Sequence, residues 1–231
     1  MSQIIKAGEN FLPQTTGERL SIEDVKAELD GAYLTFGRVK IDGSEFVEND
    51  GVEEKNRGKE ITCIIVHKQR TGVVFDDETK QVLFRSRDDV DYYDVKTGQK
   101  FTLETLPVDK SKVSHKRDLY ILEPGDLLPK ILSLPITSAI KLDRFNAALL
   151  AKFIRPSTSI IKIGIERVKK DNNTWSQATF ERVGTITESD IQSIKPIVAL
   201  AQEYANRQIT AGEHEEEGDI TSIGDEDTIP F

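Results

Sequence analysis

The chain has one cysteine, one methionine and one tryptophan in 231 residues. A lone Cys63 cannot close an internal disulfide or supply a thiolate pair for zinc. It stands in the apolar run Ile61-Thr62-Cys63-Ile64-Ile65-Val66, where a thiol behaves as a small buried hydrophobe. No stretch approaches the roughly 20 apolar residues that a bilayer-spanning helix needs. The start, Met1-Ser2-Gln3-Ile4-Ile5-Lys6, lacks the long apolar centre of a signal peptide. A soluble protein of a reducing, cytoplasmic compartment is expected. Catalytic signatures are missing too. There is no P-loop, no His-Glu-x-x-His and no Gly-x-Ser-x-Gly. His67, His115 and His214 are scattered, and Asp76-Asp77-Glu78 reads as turn chemistry rather than as a nuclease metal site. The expectation is a non-enzymatic protein without metal or cofactor.

Basic residues are absent from one end. From Gly212 to Phe231 there are eight acidic residues and no lysine or arginine. The net charge of −9 therefore misdescribes the body, where 32 acidic residues face 31 basic ones once those eight are set aside. A near-neutral body can still carry a local basic face for a polyanion.

What is present is mostly period-two patterning. Tyr33 to Ile41 alternates, Ile61 to Val66 reads as a core strand, and Arg70-Thr71-Gly72 reads as a turn into Val73-Val74-Phe75. Gln81 to Arg87 and Asp118 to Leu122 are further strands. Residues 44–60 read as a loop or ragged hairpin end, and 88–117 as a polar stretch. The segment 131–136, interrupted by Pro135, suits a sheet edge. Ser159–Val168 and Thr174–Ile186 form the clearest hairpin. Helices are expected from Ser21, from Thr137 or Ser138 to about Ile154, and from Thr187. In the second, Ile140, Phe145, Leu150 and Phe153 make the main apolar stripe, and Leu142 and Leu149 lie partly off it. The fold class is mainly β with a few helices. Residues 1–18 read as a flexible arm, 19–209 as the folded domain, and 210–231 as a disordered acidic tail.

The chain ends Asp225-Glu226-Asp227-Thr228-Ile229-Pro230-Phe231. Pro230 pre-sets the backbone, the Phe231 ring suits an apolar pocket, and the acids steer the segment toward basic surfaces. This ending resembles the acidic tip of bacterial and bacteriophage single-stranded DNA-binding proteins, which close on several acids and then Ile-Pro-Phe. The match covers about seven positions. The body lacks the Gln/Gly/Pro-rich linker usual in the bacterial group, so the resemblance fits a phage-type protein better. It implies an oligonucleotide-binding (OB) barrel with helical additions that coats single strands in replication, recombination or repair. The tip, from Asp225, Glu226 and Asp227 to Ile229, Pro230 and Phe231, would recruit a polymerase, helicase, primase or recombinase. The cytoplasm of a bacterium or an infected host, and a homo-oligomer, fit the same resemblance. A strand-annealing mediator, and an adaptor that binds no DNA, are the rival readings.

Sequence-tolerant binding of single strands needs cations that track phosphates and aromatic rings that stack bases. Candidates for that surface are Arg85 and Arg87, with Tyr92 and Tyr93 close behind. Lys112, Lys116 and Arg117 of the densest basic cluster join them, as do Lys169 and Trp175 on the late hairpin. Phe36, Arg38 and Lys40 share the first strand.

Overall fold

A computed structural model describes residues 36–206 apart from 52, 80, 171 and 172, together with residues 11, 24 and 27. The proposed arm (1–18), the tail (210–231) and the tip lie outside these apart from Phe11, as does the Ser21 helix apart from Asp24 and Ala27, which are helical.

Eleven strands and two long helices follow in order: β1 (Arg38–Asp42), β2 (Glu45–Asn49), β3 (Glu54–Gly58), β4 (Glu60–Phe75), β5 (Val82–Ser86), β6 (Asp91–Asp94), β7 (Lys100–Thr102), β8 (Val113–Leu122), β9 (Lys130–Pro135), α1 (Ile136–Leu150), β10 (Ser159–Lys170), β11 (Asn173–Thr185) and α2 (Glu188–Ala205). The protein is mainly β, as its alternating pattern predicts. The strands join in one mixed, unclosed sheet of order β3-β2-β1-β9-β8-β4-β5-β6-β7, with β10 pairing β4 and β11. Only β1 with β9 is parallel; the other pairs are antiparallel.

Both faces of the central sheet are covered. Leu119 and Ile121 of β8 pack with Leu142 of α1, whereas Tyr120 and Leu122 pack with Ile194, Ile197, Leu200 and Tyr204 of α2. That is why β8 is buried without a break from Asp118 to Leu122: strands sandwiched between two layers lose the polar half of their alternation. Phe11 is buried in the α2-side cluster, where its N–H donates to Asp190 Oδ2 at 3.2 Å. A third cluster, with Val74, Phe84, Tyr92, Leu106 and Val113, fills the far end of the sheet.

Several expectations are corrected. Arg70-Thr71-Gly72 is not a turn, because β4 runs unbroken through it for 16 residues. Glycine is there for clearance: a Cβ on Gly72 would stand 2.8 Å from Tyr92 Cζ and 2.9 Å from Asp89 Oδ1. Of the two readings for residues 44–60 the hairpin holds and the loop does not: β2 and β3 pair, with an irregularity between Phe46 and Val47. The hairpin's polarity is that of an ion network, in which Arg57 joins Glu48 and Glu123 while Lys130 joins Glu48, Glu123 and Asp126. The polar stretch 88–117 holds β6, β7 and the start of β8. β9 is interior, between β1 and β8, and Pro135 closes it and stands at the N-cap of α1. Neither Thr137 nor Ser138 caps that helix; the buried Ser138 hydroxyl accepts from Ala178 N–H at 2.9 Å. The apolar stripe of α1 is shifted. Leu142 and Leu149 are buried and Phe145 packs against the same core, while Ile140, Leu150 and Phe153 are exposed. The late hairpin and the Thr187 cap follow expectation, the latter as a full capping box with Asp190.

Candidate nucleic-acid interface

Side chains alternate across a sheet, so the register assigns each candidate to a face. Tyr120 marks the α2 side. Lys116 lies four residues before it on β8, and the pair Thr71–Lys116 carries that face to β4. The pairs Val73–Arg85, Arg85–Tyr93 and Tyr93–Lys100 extend it to β5, β6 and β7. On the other flank, Tyr120 pairs Ile131, and Ile131 pairs Arg38, with Lys40 two residues further along β1. Arg38, Lys40, Lys116, Arg85, Tyr93 and Lys100 thus share one face, drawn from strands far apart in sequence. Among the described residues, α2 is the helix on this face, and it packs at the near end.

Arg87, just past β5, joins this face at the end of α2. Its guanidinium lies 5.6 Å from the centroid of the Tyr204 ring and donates to the Tyr204 carbonyl at 3.4 Å. Gln69 Nε2 donates to the Ala205 carbonyl at 2.9 Å. Both donors meet carbonyls that the last turn of a helix leaves unpaired. Tyr204 in turn packs at 4.6 Å from Phe36 and 6.3 Å from Tyr120. Burial, and then the charges of Arg38 and Arg87, bring the Arg85 guanidinium down to about 10. Three arginines therefore stand near one another, and the carboxylate of Asp118 is one of the groups that offset the charge on Arg85. Asp118 also accepts from the Ser133 hydroxyl at 2.6 Å. Crowded cations at a half-open surface favour an incoming anion, because the anion relieves their repulsion.

Of the nine candidates read from the sequence, four meet here: Arg85, Arg87, Tyr93 and Lys116. Lys116 also lies 5.7 Å from the centroid of the Phe75 ring. Arg117 falls on the opposite face, paired to Asp143 of α1 at 3.4 Å. Tyr92 is fully buried against Gly72, and its hydroxyl donates to Asp89 Oδ1 at 2.6 Å, so its ring offers no face to a base. Burial and that hydrogen bond push its pKa up. Lys112 is held by Asp77 in the turn before β8. Lys169 and Trp175 belong to the β10–β11 arm, away from the arginines; Trp175 is half-buried opposite Val168. Arg38 and Lys40 were legible only as neighbours on a strand, and Lys100 carried no signal. Register alone places them on the face that carries Arg85.

Asp89 and His115 form a second polar unit, on the α1 side. His115 Nδ1 lies 2.8 Å from Asp89 Oδ1, and Asp89 adopts a left-handed backbone, φ 61°. Among the described residues no cluster of three or more His, Cys, Asp or Glu is arranged to hold a metal. No helix among them is long and apolar enough to cross a membrane. No family model, curated protein or solved structure matches the chain.

Proposed function

We propose that the protein binds single-stranded DNA without sequence preference, along the α2-side face of the sheet, and that it is not an enzyme. The observation that carries this reading is the convergence of Arg38, Arg85, Arg87 and Lys116 on one face, with Lys40 and Lys100, paired to Glu54 and Asp91, at the flanks; they come from four strands and the segment after β5. Cations spaced across a sheet track phosphates, and Tyr93 among them supplies a ring for stacking. The long β4, which pairs β8, β5 and β10 along its length, supports the finer reading of an OB-like sheet that curls without closing. In this reading the Asp225–Phe231 tip recruits replication or recombination proteins in the cytoplasm of a bacterium or its infected host.

The test is fluorescence anisotropy of a labelled oligo-dT across a salt series. Tight binding at low salt with a steep loss on adding salt is expected. Each of Arg38→Ala and Lys116→Ala should lower the log–log salt slope by about 1 if it removes one phosphate contact. An oligonucleotide that stays free at low salt would rule the reading out and favour the adaptor. Because Trp175 lies off this face, an extrinsic label is the appropriate reporter. Measuring annealing of complementary strands separates coating from a mediator role.

A further inference from the structure

Six large hydrophobic side chains among the described residues are exposed, and four of them lie on α1 and the turn after it: Ile136 (46%), Ile140 (46%), Leu150 (59%) and Phe153 (99%). The helical period sets Ile136 and Ile140 on the side of α1 away from the buried Leu142 and Leu149, with Leu150 at the edge of that side. Exposed Ala147 and Ala151 lie on the same side, so their small side chains leave the helix surface open to an apolar partner.

Phe153 adds a second, independent signal. The helix stops through paired hydrogen bonds, Phe153 N–H to the Leu150 carbonyl at 2.9 Å and Ile154 N–H to the Leu149 carbonyl at 3.0 Å. That pattern puts Phe153 at the position where glycine ordinarily takes the left-handed backbone, and its φ is 57°. A bulky residue is strained there, and its ring gains nothing from burial in the fold. A strained, exposed aromatic position of this kind is a candidate for a functional contact.

The surroundings select the occupant. Arg144, Lys152 and Arg155 rim this face and have no carboxylate partner among the described residues, whereas Lys141 and Asp143 are already engaged by Glu166 and Arg117. The complement is a short segment with acids followed by apolar groups. We propose that this face is the docking site of the chain's own segment Asp225–Phe231. The acids Asp225, Glu226 and Asp227 meet Arg144, Lys152 and Arg155, and Ile229, Pro230 and Phe231 pack over Ala147 and Ala151 beside Ile140, Leu150 and Phe153. The arginine-bearing sheet face offers the acids charge, but none of the six exposed hydrophobics lies on its strands. Eighteen residues separate Asn206 from Asp225, and a linker of that length reaches about 60 Å when extended. Tethering gives the tip an effective concentration near millimolar, so contacts too weak for free peptides suffice. A tip docked in this way is withheld from other proteins until one outcompetes α1. The inference uses only the chemistry of the tip and of α1 and holds whether or not the protein binds DNA.

The test uses the full chain without nucleic acid. Cys63 is completely buried, so Ser222→Cys gives a single reactive site for a fluorophore. Its anisotropy at low salt should be high and independent of protein concentration. It should fall toward that of an unstructured peptide in Leu150→Ser/Phe153→Ser, and equally in Ile229→Ser/Phe231→Ser. All four substitutions lie outside the buried core or the described fold, and circular dichroism should stay unchanged. Label mobility that ignores both variants overturns the proposal. Anisotropy that drops on dilution also overturns it, because the tail of another copy would then fill the face.

Discussion

Single residues here answer to clearance and backbone conformation more than to propensity. Gly72 lies mid-strand with the Tyr92 ring over it, at distances no real Cβ tolerates. Gly72→Ala is expected to cost about 1–3 kcal/mol, the usual range for overpacking, measured by urea denaturation. Adding Tyr92→Phe removes the closest atom and should recover part of the loss. Phe153 is the opposite case. Phe153→Gly removes a side chain from a left-handed position and should raise stability by about 1 kcal/mol, seen as a higher melting temperature, while abolishing tail docking. A Phe153→Gly variant that melts lower would show that the ring stabilises the fold itself.

At the scale of elements, the far end of the sheet is stitched by aspartates. Asp76 accepts from the N–H groups of Thr79 and Glu78, Asp94 from those of Thr97 and Lys96, and Asp109 from that of Ser111. Those backbone donors, Thr79, Thr97 and Ser111 first, hold the three carboxyls below the ordinary range. Asp88 is held low as well. Burial would raise it, but the N–H groups of Asp91 and Val90 and the Ser86 hydroxyl outweigh that. A carboxylate with a depressed folded pKa stabilises above its unfolded value, near 4, and the contribution fades as pH falls through the folded value. The amides of residues 76–112 should therefore lose hydrogen-exchange protection between about pH 4 and pH 2 before those of α1 do. Equal loss in both regions would mean that these turns do not set the acid response.

For the whole molecule, the two helices divide the labour of the sheet. α2 covers one end of the face that carries the arginines, and α1 covers the other face while turning an apolar side to solvent. The last twenty residues carry eight negative charges, and without them 32 acids balance 31 bases. Deleting residues 212–231 should therefore tighten oligo-dT binding at low salt, and the gain should shrink as salt screens the tail. Unchanged affinity in the same anisotropy titration would show that the tail does not oppose the strand.

The mainly β character, the β10–β11 hairpin, the capping box of α2 and the burial of Cys63 are legible in the amino-acid order, because each depends on local periodicity or on contacts a few residues apart. That order also locates the charge imbalance and the chemistry of the tip. That Gly72 extends a strand, that Pro135 ends an interior one, and that Leu142 rather than Ile140 faces the core follow from long-range packing. Those outcomes turn on what packs against a residue, and an apolar stripe does not say which of two apolar sides the sheet will take. The same holds for the interface. Lys116 and Arg117 are neighbours in the chain but lie on opposite faces, whereas Arg38 and Arg85 meet across the sheet. Strand register, fixed by pairings tens of residues apart, makes that choice.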